Sequence, residues 1–343
     1  MMRCTMMAVL LLGLAYPLSA AEPAPAPKDV RAAVTKALPL IQKGAAGHRE
    51  QRTCFACHHQ ATPILALTTA RSRGFPFDAE DVQKHLRFIA KFLDTNREGY
   101  LKGRGQGGQV DMAGYALWTL EMGGWKPNKT TAAVTEYLLQ RNADRDHWRV
   151  VSNRPPSEVS LFTTNYVAIR SLQNFGTDEQ KKRIDERLGV VRAWLEKTAA
   201  KDTEDRVFRL WALKRIGGDA KDVRGAAETL IKDQRGDGGW AQKDDMKSDA
   251  YATGTVLVAL HEAGGLATND AVYQRGVKYL LATQKEDGSW HVRSRSKPFQ
   301  TYFESGFPHG KDQFISLAAS GWATTALALA LPPVQRQASI SPR

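Results

Sequence analysis

Regular punctuation constrains this chain more than any other feature. Apolar helical stretches end at Gly74, Gly123-Gly124, Gly176, Gly217-Gly218 and Gly264-Gly265, at intervals of 49, 53, 41 and 47 residues. Glycine just past a helix end is the expected stop, because the left-handed turn there costs it little. Such an interval suits two helices plus their connections. Six pairs can be read: 30–42 with 58–71, 82–93 with 110–122, 130–140 with 163–175, 187–197 with 205–216, 226–234 with 249–263, and 273–284 with 314–331. The first member of each pair is amphipathic; Val82, Leu86, Ile89 and Leu93 share one face. The second is apolar or rich in small residues. An amphipathic outer ring around a buried inner ring fits that contrast. No strand alternation competes, so the fold class expected is all-α.

Two connections carry a finer mark. Gln234 to Trp240 and Gln284 to Trp290 both read Gln-x-x-x-Gly-x-Trp, 50 residues apart, and Gln140 with Trp148 looks like a weaker copy. A Gln amide can satisfy free backbone groups at a helix end, and an indole can stack over it. The pair resembles the glutamine–tryptophan repeats of squalene-hopene cyclases and related prenyltransferase-repeat proteins. That resemblance implies a closed α/α toroid of about six helical hairpins. It also implies a structural role for Gln234, Trp240, Gln284 and Trp290.

The start of the chain reads as a secretion leader over residues 1–21. Arg3 is followed by the apolar run Met6 to Ala15, too short to span a bilayer, and by a small-residue cleavage site at Ser19-Ala20-Ala21. Residues 22–29 read as a Pro/Ala-rich linker, 30–333 as the toroid, and 334–343 as a tail. No later segment is long and apolar enough to cross a membrane. The mature protein is therefore expected outside the cytoplasm, periplasmic or secreted. Taking Arg3 from the 48 Lys+Arg, against 36 Asp+Glu, leaves a mature net charge of +11. The charges alternate in sign along helices, as in residues 181–189, and no basic run with interleaved aromatics occurs. A solvated basic surface follows, and nucleic acid is not an expected partner.

Of three cysteines, Cys4 lies in the leader, leaving Cys54 and Cys57 in a Cys-x-x-Cys-His motif ending at His58. Two thiols at this spacing can bond to the two vinyl groups of haem, with the adjacent His reaching the iron, and export suits haem c. Zinc through Cys54, Cys57 and His58 or His59, completed by an Asp, is a second reading. Prenyltransferases, which the repeats resemble, bind zinc at a toroid mouth, although their ligand spacing is not reproduced. A disulfide or redox pair is a third. His59, Met112, Met246 and His309 are conceivable second haem ligands.

Repeat alignment places Asp111, Asn165, Asp205, Asp249 and Asp312-Gln313 near inner-helix starts. Helix capping is the bland reading of Asp111, Asp205 and Asp249; a cluster around one cavity mouth is the functional one. The cyclase resemblance implies an Asp-x-Asp-Asp acid. Its nearest match is Asp202-Thr203-Glu204-Asp205, with Glu204 at the donor position and a surface helix cap as the alternative. The long connection from Gln300 to Gln313 offers Tyr302, Glu304, His309 and Asp312 beside a cavity mouth. Ring closure would bring this loop to the Cys54–His59 segment, making His309 and Asp312 candidate metal partners with His58 and His59. Glu204, Asp205, Asp249 and Glu304 are the candidate catalytic residues. Three functions are carried forward: a haem toroid with a redox partner, a metal-dependent or acid-catalysed enzyme on an apolar or polymeric substrate, and a binding scaffold.

Overall fold

The computed structural model describes residues 23–298 and 301–334. The leader with Cys4 and its cleavage site, and residues 335–343 of the tail, lie outside the described residues. Thirteen α-helices occur among those described: α1 (Pro27–Gln51), α2 (Thr62–Ser72), α3 (Ala79–Asp94), α4 (Arg97–Leu101), α5 (Gln109–Met122), α6 (Lys129–Gln140), α7 (Leu161–Phe175), α8 (Lys181–Lys197), α9 (Thr203–Ile216), α10 (Ala220–Lys232), α11 (Ala250–Glu262), α12 (Ala271–Thr283) and α13 (Gln313–Leu329). The linker expected over 22–29 ends early, because Pro27 already starts α1. Proline is favoured there: its missing N–H is one the first turn leaves unbonded anyway. None of the described helices is long and apolar enough to cross a membrane.

The pairs form two concentric rings. Helix α3 buries only Val82, His85, Leu86, Ile89 and Leu93, whereas α5 is buried continuously from Val110 to Leu120 and α11 from Ala250 to Leu260. Inner helices pack in the order α2, α5, α7, α9, α11, α13 and back to α2, so the ring closes. Small residues permit the closest crossings. A Cβ on Gly321 of α13 would stand 2.9 Å from the Thr62 carbonyl oxygen, and one on Gly254 of α11 would stand 2.7 Å from the backbone nitrogen of Ala323.

The glutamine–tryptophan repeats bridge the rings. The indoles of Trp148, Trp240 and Trp290 donate to the carbonyls of Leu138, Leu230 and Leu280 at 2.8, 2.7 and 2.8 Å. The Gln234 amide donates to the Val272 carbonyl at the start of α12. Its counterpart Gln284 donates to Ala33 of α1 at 2.9 Å, tying the last outer helix to the first. The weaker copy departs here, since Gln140 donates backwards, to Leu101. Gly74, Gly124, Gly217 and Gly265 take the left-handed turn expected of them, whereas Gly176 is extended at φ −64° and stops α7 without it.

Candidate functional site

At the N-terminal ends of the inner helices the ring encloses a cavity of about 390 Å³. Its inner walls are Tyr115 of α5, Tyr251 of α11, and Phe314 and Trp322 of α13. Two straps frame the mouth. The α6–α7 connection contributes Arg154 to Glu158, and the α12–α13 connection contributes Ser294, Ser296 and Lys297. They touch where the Ser296 hydroxyl donates to the Pro155 carbonyl at 3.1 Å.

Cys57 and His58 both line this cavity. They sit on a one-turn π-helix, Cys57–Ala61, leading into α2, with Pro63 in the first turn of α2. The Gln60 carboxamide oxygen accepts from the Ala56 amide at 3.0 Å and holds that turn. Such widened turns recur at functional sites, because the extra residue re-aims neighbouring side chains. The Cys57 thiol lies 3.8 Å from Glu158 Oε1 and its sulfur 4.0 Å from His58 Nδ1. Glu158 is in turn ion-paired with Arg154. Burial, and secondarily the Glu158 charge, push the Cys57 thiol far up, so it stays protonated. Burial, then His48 and Arg154, lower His58 to about 3, leaving a neutral imidazole at physiological pH. Cys54 is exposed, and both cysteines are free thiols, not joined as the disulfide reading required.

The carboxylates stand behind the wall. Asp202, not Asp205, caps α9 by accepting from the Asp205 amide at 3.0 Å. Asp205 instead accepts from the Ser160 hydroxyl at 2.7 Å and from the Lys201 amide at 3.0 Å. Glu204 is no surface cap: it is buried, accepts from Thr163 at 2.9 Å and from the Tyr251 hydroxyl at 3.4 Å, and its Oε2 has no partner. Burial raises it to about 8. Asp111 is also no cap; it accepts from the Thr164 hydroxyl, and burial raises it to about 7. Only Asp249 meets the capping expectation, accepting from the Ala252 amide at 2.9 Å and from Gln242 at 3.0 Å, with burial raising it to about 6. None of these carboxylates lines the cavity.

The first and last repeats do meet. Arg52 donates to the Thr301 carbonyl at 2.6 Å, and the rings of His58 and His59 each lie 5.3 Å from Phe314. The ligand set expected at that seam does not assemble. His59 is buried and turned away from the cavity, stacked on His48 at 5.2 Å, with neither ring nitrogen bonded. His309 bonds Ser289 at 2.7 Å and stacks on His291, which bonds Asp312 at 2.8 Å. No group of three His, Cys, Asp or Glu donors gathers as a metal shell among the described residues. Glu304 is exposed and accepts from Tyr302. Tyr302 itself does line the cavity, as expected of that loop.

Sequence reading missed Arg154, Glu158, Tyr115, Tyr251 and Trp322. A signal existed for the first two: the α6–α7 connection is as long and irregular as the loop that did attract attention. The three aromatics carried none. In helices buried all round, periodicity does not distinguish a cavity-facing ring from a packed one.

No family model matches the chain. A squalene–hopene cyclase of Bradyrhizobium diazoefficiens is 35% identical over 115 residues, a match spanning 28% of this chain and 16% of that protein. Among solved structures, the type II terpene cyclase MstE from Scytonema superposes with a TM-score of 0.54 at 14% identity, covering 89% of this chain and 98% of its own. The ent-copalyl diphosphate synthase from Streptomyces platensis gives 0.50 at 17% identity, covering 79% and 50%. A glycosidase solved with glucose gives 0.53 at 12% identity, covering 87% and 98%, so this architecture also serves quite different chemistry. The closed double ring, the helix-end tryptophans and these superpositions together establish that the chain has the α/α-toroid fold of the terpene cyclases.

Proposed function

We propose that the chain is an exported toroidal haem protein, its cavity holding a haem attached through Cys54 and Cys57 with His58 as an axial ligand. One observation carries the reading: Cys57 and His58, consecutive in the attachment motif, both line the large central cavity. The surroundings suit the group. The inner walls are aromatic, His58 is neutral and so has a lone pair for iron, and Lys297 and Lys311 supply positive charge at the mouth for the two propionates. Exposed Cys54 precedes the cavity by three residues. In attachment, each thiol adds across one vinyl C=C: the S–H bond breaks, an S–C bond forms, and the proton passes to the adjacent vinyl carbon. When bound, haem supplies a one-electron redox centre. The reading joins the leader and the Cys-x-x-Cys-His motif, since such haems are attached outside the cytoplasm.

The test is the mass and visible spectrum of protein expressed with its own leader in a host that matures c-type haem. The expected result is a mass increment of one haem and a Soret band that survives denaturation and is lost in Cys57→Ser. A colourless protein at the mature apo mass overturns the reading, and metal analysis of that sample then decides between zinc and a metal-free scaffold.

A second reading rests on the orphaned Oε2 of Glu204. A buried carboxyl held protonated near neutrality can act as an acid, and the Scytonema cyclase has been solved with geranylgeranyl dihydroxybenzoate as its substrate. Tyr251 separates Glu204 from the cavity, which places acid chemistry second.

A further inference from the structure

The haem reading leaves one axial position to be filled, and the side chains of this cavity bear on it. The chain has eight histidines, and only His58 lines the cavity. His59 faces His48 and Phe303; His85 pairs with Asp81 at 3.4 Å; His147 bonds Asp146 at 2.7 Å; His261 bonds the Leu266 carbonyl at 3.0 Å. His291 and His309 form the separate cluster with Asp312 and Ser289. Met112, Met122 and Met246 do not line the cavity either. Among the described residues, then, the usual second ligands of an electron-transfer haem, imidazole and thioether, are not presented to the site that holds Cys57 and His58.

What is presented instead is phenol from the inner walls and, from the α6–α7 strap, the Glu158 carboxylate, which is held by Arg154. Tyr115 and Tyr251 line the cavity from α5 and α11, both buried. Burial above all opposes the ionisation of both phenols. The Tyr251 hydroxyl is held by Glu204. A phenol binds iron well only as phenolate, and desolvation in this wall opposes that form. Lys297 and Lys311 line the mouth, and an ammonium group carries donors only, with no lone pair for iron. A neutral, buried phenol is suited instead to hydrogen bonding with something small bound beside it.

Resting on the haem reading, we propose that this cavity is a ligand-binding haem site, not a two-ligand electron carrier. The second axial position takes a small exogenous molecule of the diatomic or small-anion class, and Tyr251 turns its single hydroxyl proton from Glu204 to that molecule. The polarity and hydrogen-bond donors of such a pocket decide whether a haem carries electrons or binds ligands.

The experiment uses the full mature holoprotein, with carbon monoxide added to the ferrous form and cyanide to the ferric form. The expected spectra are high-spin before addition and low-spin after, with stoichiometric binding of both probes. Tyr251→Phe is expected to raise the cyanide dissociation constant about five- to tenfold, the effect of one hydrogen bond, while leaving the Soret intensity per protein unchanged. His309→Ala is expected to leave spectrum and affinity as they were. A wild-type protein that is low-spin and six-coordinate in both redox states and refuses carbon monoxide overturns the proposal. Its second ligand is then found by asking which of His59→Ala, Met112→Ala and Lys311→Ala converts it to high spin. Cyanide affinity unchanged in Tyr251→Phe removes the role given to Tyr251. A colourless protein overturns the haem reading and this one together, whereas a coloured six-coordinate protein overturns this one alone.

Discussion

At the scale of single residues, the cavity wall is backed by groups whose ionisation opposes folding. Glu204 is raised to about 8 by burial. A carboxyl with a raised folded-state value favours the folded chain while both states are protonated, below its ordinary range. That advantage is lost as pH rises towards about 8, at ~1.4 kcal/mol for each pH unit separating the unfolded and folded values. Asp111, raised to about 7, acts in the same sense over a narrower window. Glu204→Gln, which keeps the shape and removes the charge, is accordingly expected to flatten the fall in Tm between pH 5 and pH 8. An unchanged slope would mean that Glu204 is solvated in the folded protein. His58 works oppositely: its lowered value removes stability as pH falls below its ordinary range, towards about 3.

At the scale of elements, each sharp repeat uses one Gln and one Trp for different purposes. Trp290 is buried and fills the space beneath the α12–α13 turn, its indole bonded to Leu280 and its backbone amide to the Ser320 hydroxyl. Gln284 reaches across to a carbonyl of another helix. Removing the ring opens a cavity in the core, while removing the amide forfeits hydrogen bonds at a helix end. Trp290→Ala is expected to cost about 3–5 kcal/mol and Gln284→Ala about 1 kcal/mol, measured by urea unfolding. Equal costs would show that the repeat is not divided into a packing half and a bonding half.

At the scale of the whole molecule, the ring closes through contact between α13 and α2. A Cβ on Gly321 would meet the backbone of Thr62, which cannot yield without moving a helix, whereas a Cβ on Gly225 of the outer helix α10 would meet nothing within 4 Å. One substitution should therefore have opposite signs at two helical glycines. Gly225→Ala is expected to stabilise by up to ~1 kcal/mol, because alanine is the better helix former. Gly321→Ala is expected to destabilise by about 1–3 kcal/mol through overpacking. A loss of stability at Gly225 would show that the space around it is not open.

Local chemistry determined much of this protein. Glycine stops, the amphipathic stripe of α3 and the recurring Gln and Trp depend on neighbours in sequence, so the six helix pairs and the ring order could be read without coordinates. The meeting of the Cys54–His59 segment with the 301–314 loop followed from closure alone. Tertiary structure decided which side chains face the cavity. The inner helices are apolar all round, so no periodicity separates Tyr251 from its packed neighbours or shows Glu204 standing behind it. It also decided that His309 pairs with Ser289 and His291, away from the cavity. That outcome depends on the path of a long irregular connection, and such a path is fixed by the walls against which it packs.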